Sequence, residues 1–478
     1  VTDASREWEP WQPTAADPWG RKWAGHLLRR AAFGGSWADV SAAVAAGPAA
    51  AVDRLFRGGP GAAEFDALMD AVAPGDGVVE QPGQPTPDAT AVGLEGWWLH
   101  RMAASPHPLR ERLTLFWHNH FATSVAKVQR PDLMAGQNRL FRTHALGQFG
   151  PLVQAVSRDP AMLVWLDSNA NVRGKPNENY ARELMELFCL GVGHYTEADV
   201  REAARAFTGW HTSTAGPAGR RFPGSPPPPD VRFQFNRAAH DDGPKTVLGQ
   251  TGNWDGGDVV RIVLSNPACP RFLARKLYRG FVSEAEPPSD DLIQPLADRL
   301  RATDLDAGDC LRVIFRSRHF HSAAAFRQRV KGPAELVVGL LRTLEAEPPT
   351  GAVGLPLPAA AREMGQTLFA PPSVKGWDGG PAWLNTATVL ARHNTAWRLL
   401  QGGSGPHAVR HSPAALLARH GSGDPAGFLL DLFLQPAAGE IDPQVHAKLS
   451  AFLAPGPTDR RLREAAHAVA TLPAFQLC

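Results

Sequence analysis

Apolar residues return at helical spacing along nearly the whole chain, while period-two alternation is confined to 231–235 and 246–248. A chain patterned this way cannot build a large sheet, because a sheet buries a face only when every second residue is apolar. Helices are therefore expected at 23–33, 37–46, 50–56, 61–71, 92–104, 109–121, 131–146, 151–157, 177–190, 197–208, 257–264, 267–282 and 290–302. They continue at 307–317, 332–344, 358–368 and 380–400, with four short ones after Ser412. Capping chemistry supports the boundaries. Thr196 precedes Glu197 and Asp199, and Gly191 and Gly193 punctuate the stretch before it. The fold class is mostly α: a single large multi-helical domain over 1–400, with a small β-hairpin excursion at 212–257. A short helical extension at 401–478 is expected to pack on it. The stretches 75–90 and 213–230, rich in Pro and Gly, read as loops.

Composition narrows the function classes. The hydrophobic fraction is 44% and the charged fraction 20%, which fits a folded domain. A net charge of +2 gives no electrostatic footprint for nucleic acid. No apolar run nears the roughly 20 residues of a membrane helix, so no membrane insertion is expected. Cys189, Cys269, Cys310 and Cys478 form no CxxC pair and read as core hydrophobes. The opening VTDASREWEPWQP has neither a basic n-region nor an apolar h-region. As it stands the reading is cytoplasmic, or exported if a leader has been removed.

The chain has 41 Arg but only 8 Lys, 11 Asn and 3 Tyr, so a retained Lys or Asn marks a place where a substitute fails. Six of the Asn lie between Asn119 and Asn179, and two of the three Tyr are Tyr180 and Tyr195. Lys175, Lys245 and Lys375 each sit in a loop punctuated by Gly or Pro.

Four constellations carry chemistry. In 177–186 helical spacing puts Asn179, Glu183 and Glu186 on one face, with Glu178, Arg182 and Glu186 as a second ladder. This suits a carboxylate pair for acid–base work, and equally a salt-bridged helix. In FWHNHFATS, His118 and His120 can transfer protons, donate hydrogen bonds or bind metal. A shared metal requires the helix to fray, because i and i+2 lie about 200° apart on a regular one. NRAAHDDGPKTVLG sets His240, Asp241 and Lys245 around a turn. LFAPPSVKGWDGGPAWLN displays Lys375, Trp377, Asp378 and Trp383 on an irregular backbone, a set suited to a polar, sugar-like ligand. There is no G-x-S-x-G, Walker loop, dinucleotide fingerprint or H-E-x-x-H, which counts against a serine hydrolase, an NTPase, a Rossmann oxidoreductase and a zincin. The four constellations are expected to converge on one cleft.

Taken in order, AGHLLRRAAFG, LTLFWHNHFATS, NENYARELMELFCLGVGHYTEADVREAARAFTGW, HDDGPKTVLG and PPSVKGWDGGPAWLN resemble the bacterial domain-of-unknown-function family eighteen-hundred from about residue 23 to 400. The resemblance implies an uncharacterised family, often exported and often encoded beside a family resembling sulfatases and alkaline phosphatases. That neighbour is a candidate protein partner. The reading that follows is a hydrolase- or lyase-type enzyme acting on a polar or polymeric, carbohydrate-containing substrate. Glu183 and Glu186 are its acid–base pair, with His118 and His120 in proton transfer. Asn179, Arg182, His240, Asp241, Lys245, Lys375 and Trp377 would hold substrate. One alternative is a divalent metal held by His118, His120 and Glu183. A second is a non-catalytic binding or assembly protein.

Overall fold

The structure is a computed structural model that describes residues 4–73, 87–215, 230–346, 356–402, 409–421 and 423–478. Helices dominate it, as the periodicity requires, and the strands form two small antiparallel pairs. Trp210–Ala215 pairs with Asp230–Phe235, and Lys245–Val247 pairs with Gln250–Gly252. The sequence reading expected one hairpin and did not foresee Trp210–Ala215, whose polar run WHTSTA shows no alternation of its own. Parts of both expected loops, 75–86 and 216–229, lie outside the described residues. No helix among the described residues is long and apolar enough to cross a membrane.

The apolar residues gather into two clusters. One joins the N-terminal helices to the middle of the chain, from Trp8 to Ala325. The other joins Trp97, Trp98 and Met102 to residues from Ala334 to Phe475, so the segment after 409 shares its core with helices Pro333–Thr343 and Thr386–Gln401.

Helix Pro108–His120 stands between the two clusters. Its Leu109, Leu113 and Trp117, spaced i, i+4 and i+8, enter the first cluster, while Leu115 enters the second. A helix buried on two sides must place its remaining face against something else, and here Arg112, Phe116 and Asn119 (i, i+4, i+7) line a cleft. Helix Ala268–Phe281 repeats the arrangement. Its Cys269, Leu273 and Leu277 are in the first cluster, whereas Phe272, Lys276 and Arg279 face the same cleft. The two helices meet where Gly280 has no side chain. A Cβ there would lie 2.8 Å from the Phe116 ring, and the Arg112 guanidinium donates to the Gly280 carbonyl at 3.3 Å.

The segment expected as one helix over 177–190 changes character part-way. Asn179–Glu183 is α-helical and Leu184–Cys189 widens into a π turn, with the Leu190 amide bonded to Met185 O at 2.9 Å. Such widenings recur at functional positions. This one delivers the Phe188 carbonyl to His120 Nε2, 3.0 Å away.

Candidate functional site

Two of the four constellations are locked together. The Asn119 side chain accepts from the Trp377 amide at 2.7 Å and donates to the Trp377 carbonyl at 3.3 Å, so one carboxamide reads both ends of a residue 258 positions away. Gly376 makes this approach possible. Its φ is +83°, and a Cβ would sit 2.4 Å from the Asn119 backbone carbonyl. Trp377 is only 8% exposed, so it frames the site instead of offering a stacking face. Lys375 and Asp378 form an exposed ion pair at 3.0 Å, and Arg279 donates to the Asp378 carbonyl at 2.8 Å.

Between these segments lies a cleft of about 360 Å³. Its lining includes six basic side chains, Arg112, Arg275, Lys276, Arg279, Arg329 and Lys375, against three carboxylates, Glu284, Glu335 and Asp378. The carboxylates are already engaged. Glu335 meets Arg112 at 2.5 Å and Arg329 at 3.3 Å, and Glu284 meets Arg329 at 3.6 Å and the Val330 amide at 2.8 Å. Burial opposes ionisation of Glu335, but Arg112 and Arg329 overcome it and hold its carboxyl at about 2. Arg275 is tied to Asp290 and to the Pro288 carbonyl.

Lys276 is the exception. Among the described residues its ammonium makes no hydrogen bond or ion pair, and it lies 5.2 Å from the centroid of the Phe272 ring. Burial, with Arg279 and Lys375 adding repulsion, lowers its pKa to about 8. His120 lines the same cleft. Its Nε2 faces the Phe188 carbonyl and must donate, so Nδ1 carries a free lone pair, buried and without a protein partner. Burial first, then Lys276, keeps this ring neutral. Phe116, Phe272 and Trp383 supply apolar wall.

His118 is different. Its Nε2 accepts from the Phe369 amide at 3.1 Å, its ring packs against Trp98 and Phe369, and burial drives its pKa to about 3. The helix stays regular through His120, and the two imidazoles serve opposite walls, so the fraying that a shared metal requires does not occur. Among the described residues no group of three or more His, Cys, Asp or Glu is placed to hold a metal ion.

The other two constellations do not line the cleft. Glu183 is half-buried, and burial, then Glu186, raises its pKa. Glu186 accepts from the Tyr195 hydroxyl at 2.7 Å. Arg182 bridges Glu178 at 3.0 Å and Glu197 at 2.8 Å, so the expected ladder to Glu186 is replaced by a clip to the next helix. Asn179 is exposed, and its amide is held by the Asn177 side chain at 3.0 Å. His240 is buried with Nδ1 2.9 Å from the Thr208 carbonyl. Asp241 meets Arg205 at 2.8 Å, which with the Gly243 amide pulls its pKa to about 2. Lys245 is 1% exposed and donates to the carbonyls of Asp241 and Gly243 at 2.5 and 2.9 Å. Asp241 and Lys245 are thus satisfied within the fold, by Arg205 and by backbone carbonyls.

A second cavity, about 240 Å³, is lined largely by apolar residues with Arg54, Arg342 and Asp39. Arg342 is occupied there by Asp39 and by the carbonyls of Gly34 and Ala103, and Arg54 is exposed.

A family model matches residues 26–477 of the chain. The chain belongs to DUF1800, a family described as of unknown function. The match takes in the segment after 409 as well as the helices around the cleft, which agrees with their common core. No curated protein and no solved structure matches this DUF1800 chain. Lys276 goes unmarked in the sequence, where it falls within the helix expected over 267–282. The signal was available, since Lys276 is one of eight lysines and is flanked by Arg275 and Arg279.

Proposed function

We propose that the protein is an enzyme of hydrolase or lyase type. It carries out acid–base chemistry on a polar, carbohydrate-containing substrate in the cleft between helices Pro108–His120 and Ala268–Phe281. The observation that supports this most is one pair, the Lys276 ammonium and the Nδ1 of His120, left without protein partners on a common wall where Arg112, Arg275, Arg329 and Lys375 each meet a carboxylate. Folding gains little from a half-buried amine without a protein partner and a buried imidazole nitrogen without one on the same wall, so their retention points to a ligand. A neutral imidazole suits a general base, and an ammonium with a pKa of about 8 suits a general acid near neutral pH. Lys375 and Trp383 at the rim would position substrate. This reading shifts the chemistry from Glu183 and Glu186, which stand outside the cleft lining, to His120 and Lys276.

The test is turnover by the full chain on a panel of oligosaccharides, followed by chromatography of new ends, with His120→Gln and Lys276→Met as comparisons. Turnover should fall at least about 100-fold in each, the usual scale for a lost acid or base. Activity that survives both substitutions in a folded protein would remove this reading.

A second reading, a binding or assembly protein, is supported by helix Thr386–Gln401. It leaves Val389, Leu390 and Trp397 exposed at 52%, 59% and 40%. The sulfatase-like or phosphatase-like neighbour implied by the family resemblance would be its partner. Co-purification lost in Leu390→Glu, with no turnover from either chain, would favour it.

A further inference from the structure

The reading above leaves the substrate's charge open, and the cleft's own electrostatics address it. Six basic groups face three carboxylates, and those carboxylates are held by Arg112, Arg329, Lys375 and backbone amides. The remaining positive charge is concentrated on one helical turn, at Lys276 and Arg279. An unneutralised ammonium held against other cations is costly in the empty protein, and an incoming anion removes that cost. A second observation points the same way. The buried, unpartnered Nδ1 of His120 accepts a hydrogen bond and cannot donate one, so it suits a hydroxyl of the ligand and not the anionic group itself. The wall therefore offers cations for an oxyanion, an acceptor for a neighbouring hydroxyl, and the rings of Phe116, Phe272 and Trp383 for an apolar sugar face.

We propose that the cleft selects acidic saccharides, with a carboxylate, sulfate or phosphate ester docked on Lys276 and Arg279 and an adjacent hydroxyl on His120. This rests on the enzymatic reading for the site's location but makes a separate claim about charge. The groups facing Lys276 are Arg275 and Arg279 from its own helix, Arg112 and His120 from Pro108–His120, and Lys375 and Asp378 from the loop. Glu284, Arg329 and Glu335 complete the surroundings. Besides burial, the cations Arg279 and Lys375 depress its titration. A bound anion reverses that balance, so binding at pH 8 to 9 should take up protons, and affinity should fall as pH rises through this range.

The experiment is calorimetric titration of the full chain with matched pairs. One is oligogalacturonate against its fully methyl-esterified form. Others are a 6-O-sulfated and a 6-O-phosphorylated oligosaccharide, each against its unmodified parent. The expected result is at least tenfold tighter binding of an acidic member than of its neutral counterpart, and the best pair identifies the anion. That preference should be lost in Lys276→Met, retained in Lys276→Arg, and weakened by salt. Buffers of differing ionisation enthalpy should reveal the proton uptake. Equal affinity for charged and neutral members overturns the proposal, as does binding of no acidic member or a preference that Lys276→Met leaves intact. Tight acidic binding without turnover of the bound saccharides would sustain this inference while removing the enzymatic reading. Turnover of neutral members in preference would do the opposite.

Discussion

Lys245 and Lys276 make the most instructive comparison in the molecule. Both are lysines in a chain that strongly favours arginine, Lys245 buried and Lys276 half-buried, and each has arginine near it. Lys245 closes its own loop by donating to two backbone carbonyls, and Asp241 beside it is spent on Arg205. Lys276 closes nothing. Density of charged residues, the property that drew attention to the first turn, does not separate scaffold from site. The proposed site rests instead on which polar groups are left unsatisfied within the fold.

The comparison breaks most severely if the cleft floor is removed. Glu335→Ala strips the carboxylate from buried Arg112 and Arg329 and should cost about 3–5 kcal/mol of stability, measured by urea denaturation. A smaller loss would mean that the buried arginines find other partners. Next is Lys245→Met. It leaves the carbonyls of Asp241 and Gly243 without their donor and should destabilise by about 1–3 kcal/mol without altering ligand binding. Lys276→Met should have the opposite profile, with stability near pH 7 unchanged or raised and the preference for acidic saccharides lost. If both variants destabilise alike, the distinction between the two lysines fails.

A pH series sharpens the same contrast. The folded pKa of Lys276 lies near 8, below its unfolded value of about 10.4. The unfolded chain therefore binds more protons between pH 8 and 10, and stability contributed by this site rises with pH across that window. Lys276→Met should abolish the rise. Asp241 gives the smallest effect and the reverse sense. Its folded pKa of about 2 lies below the unfolded value near 3.9, so its contribution is present above pH 4 and lost between about pH 4 and 2. Asp241→Asn should flatten that acid limb, as seen by circular dichroism.

The helical architecture was legible because burial of one face imposes its period on the sequence. The partner strand Trp210–Ala215 was not, since an exposed two-stranded pair imposes no such period. The π turn at Leu184–Cys189 was hidden for a related reason: its apolar stripe is the one an α-helix would carry, and only the backbone bond of Leu190 to Met185 reveals the extra residue. At the site, the motifs containing Asn119 and Lys375–Trp377 were visible as polar groups on irregular backbone. Their mutual clamp was not, because nothing local in either segment specifies the other. Lys276 was concealed by its setting, with Arg neighbours and an apolar face of Leu273 and Leu277 that accounts for the helix without it.

The Asn119 clamp also bears on when this chain acquires its cleft. A carboxamide that reaches across 258 residues cannot find the Trp377 peptide until the whole stretch between them has been synthesised and its helices have condensed. Local helices form first and the loop arrives last. The cleft is thus a late product of folding, and its binding capacity should reappear on refolding after the helical signal has already returned.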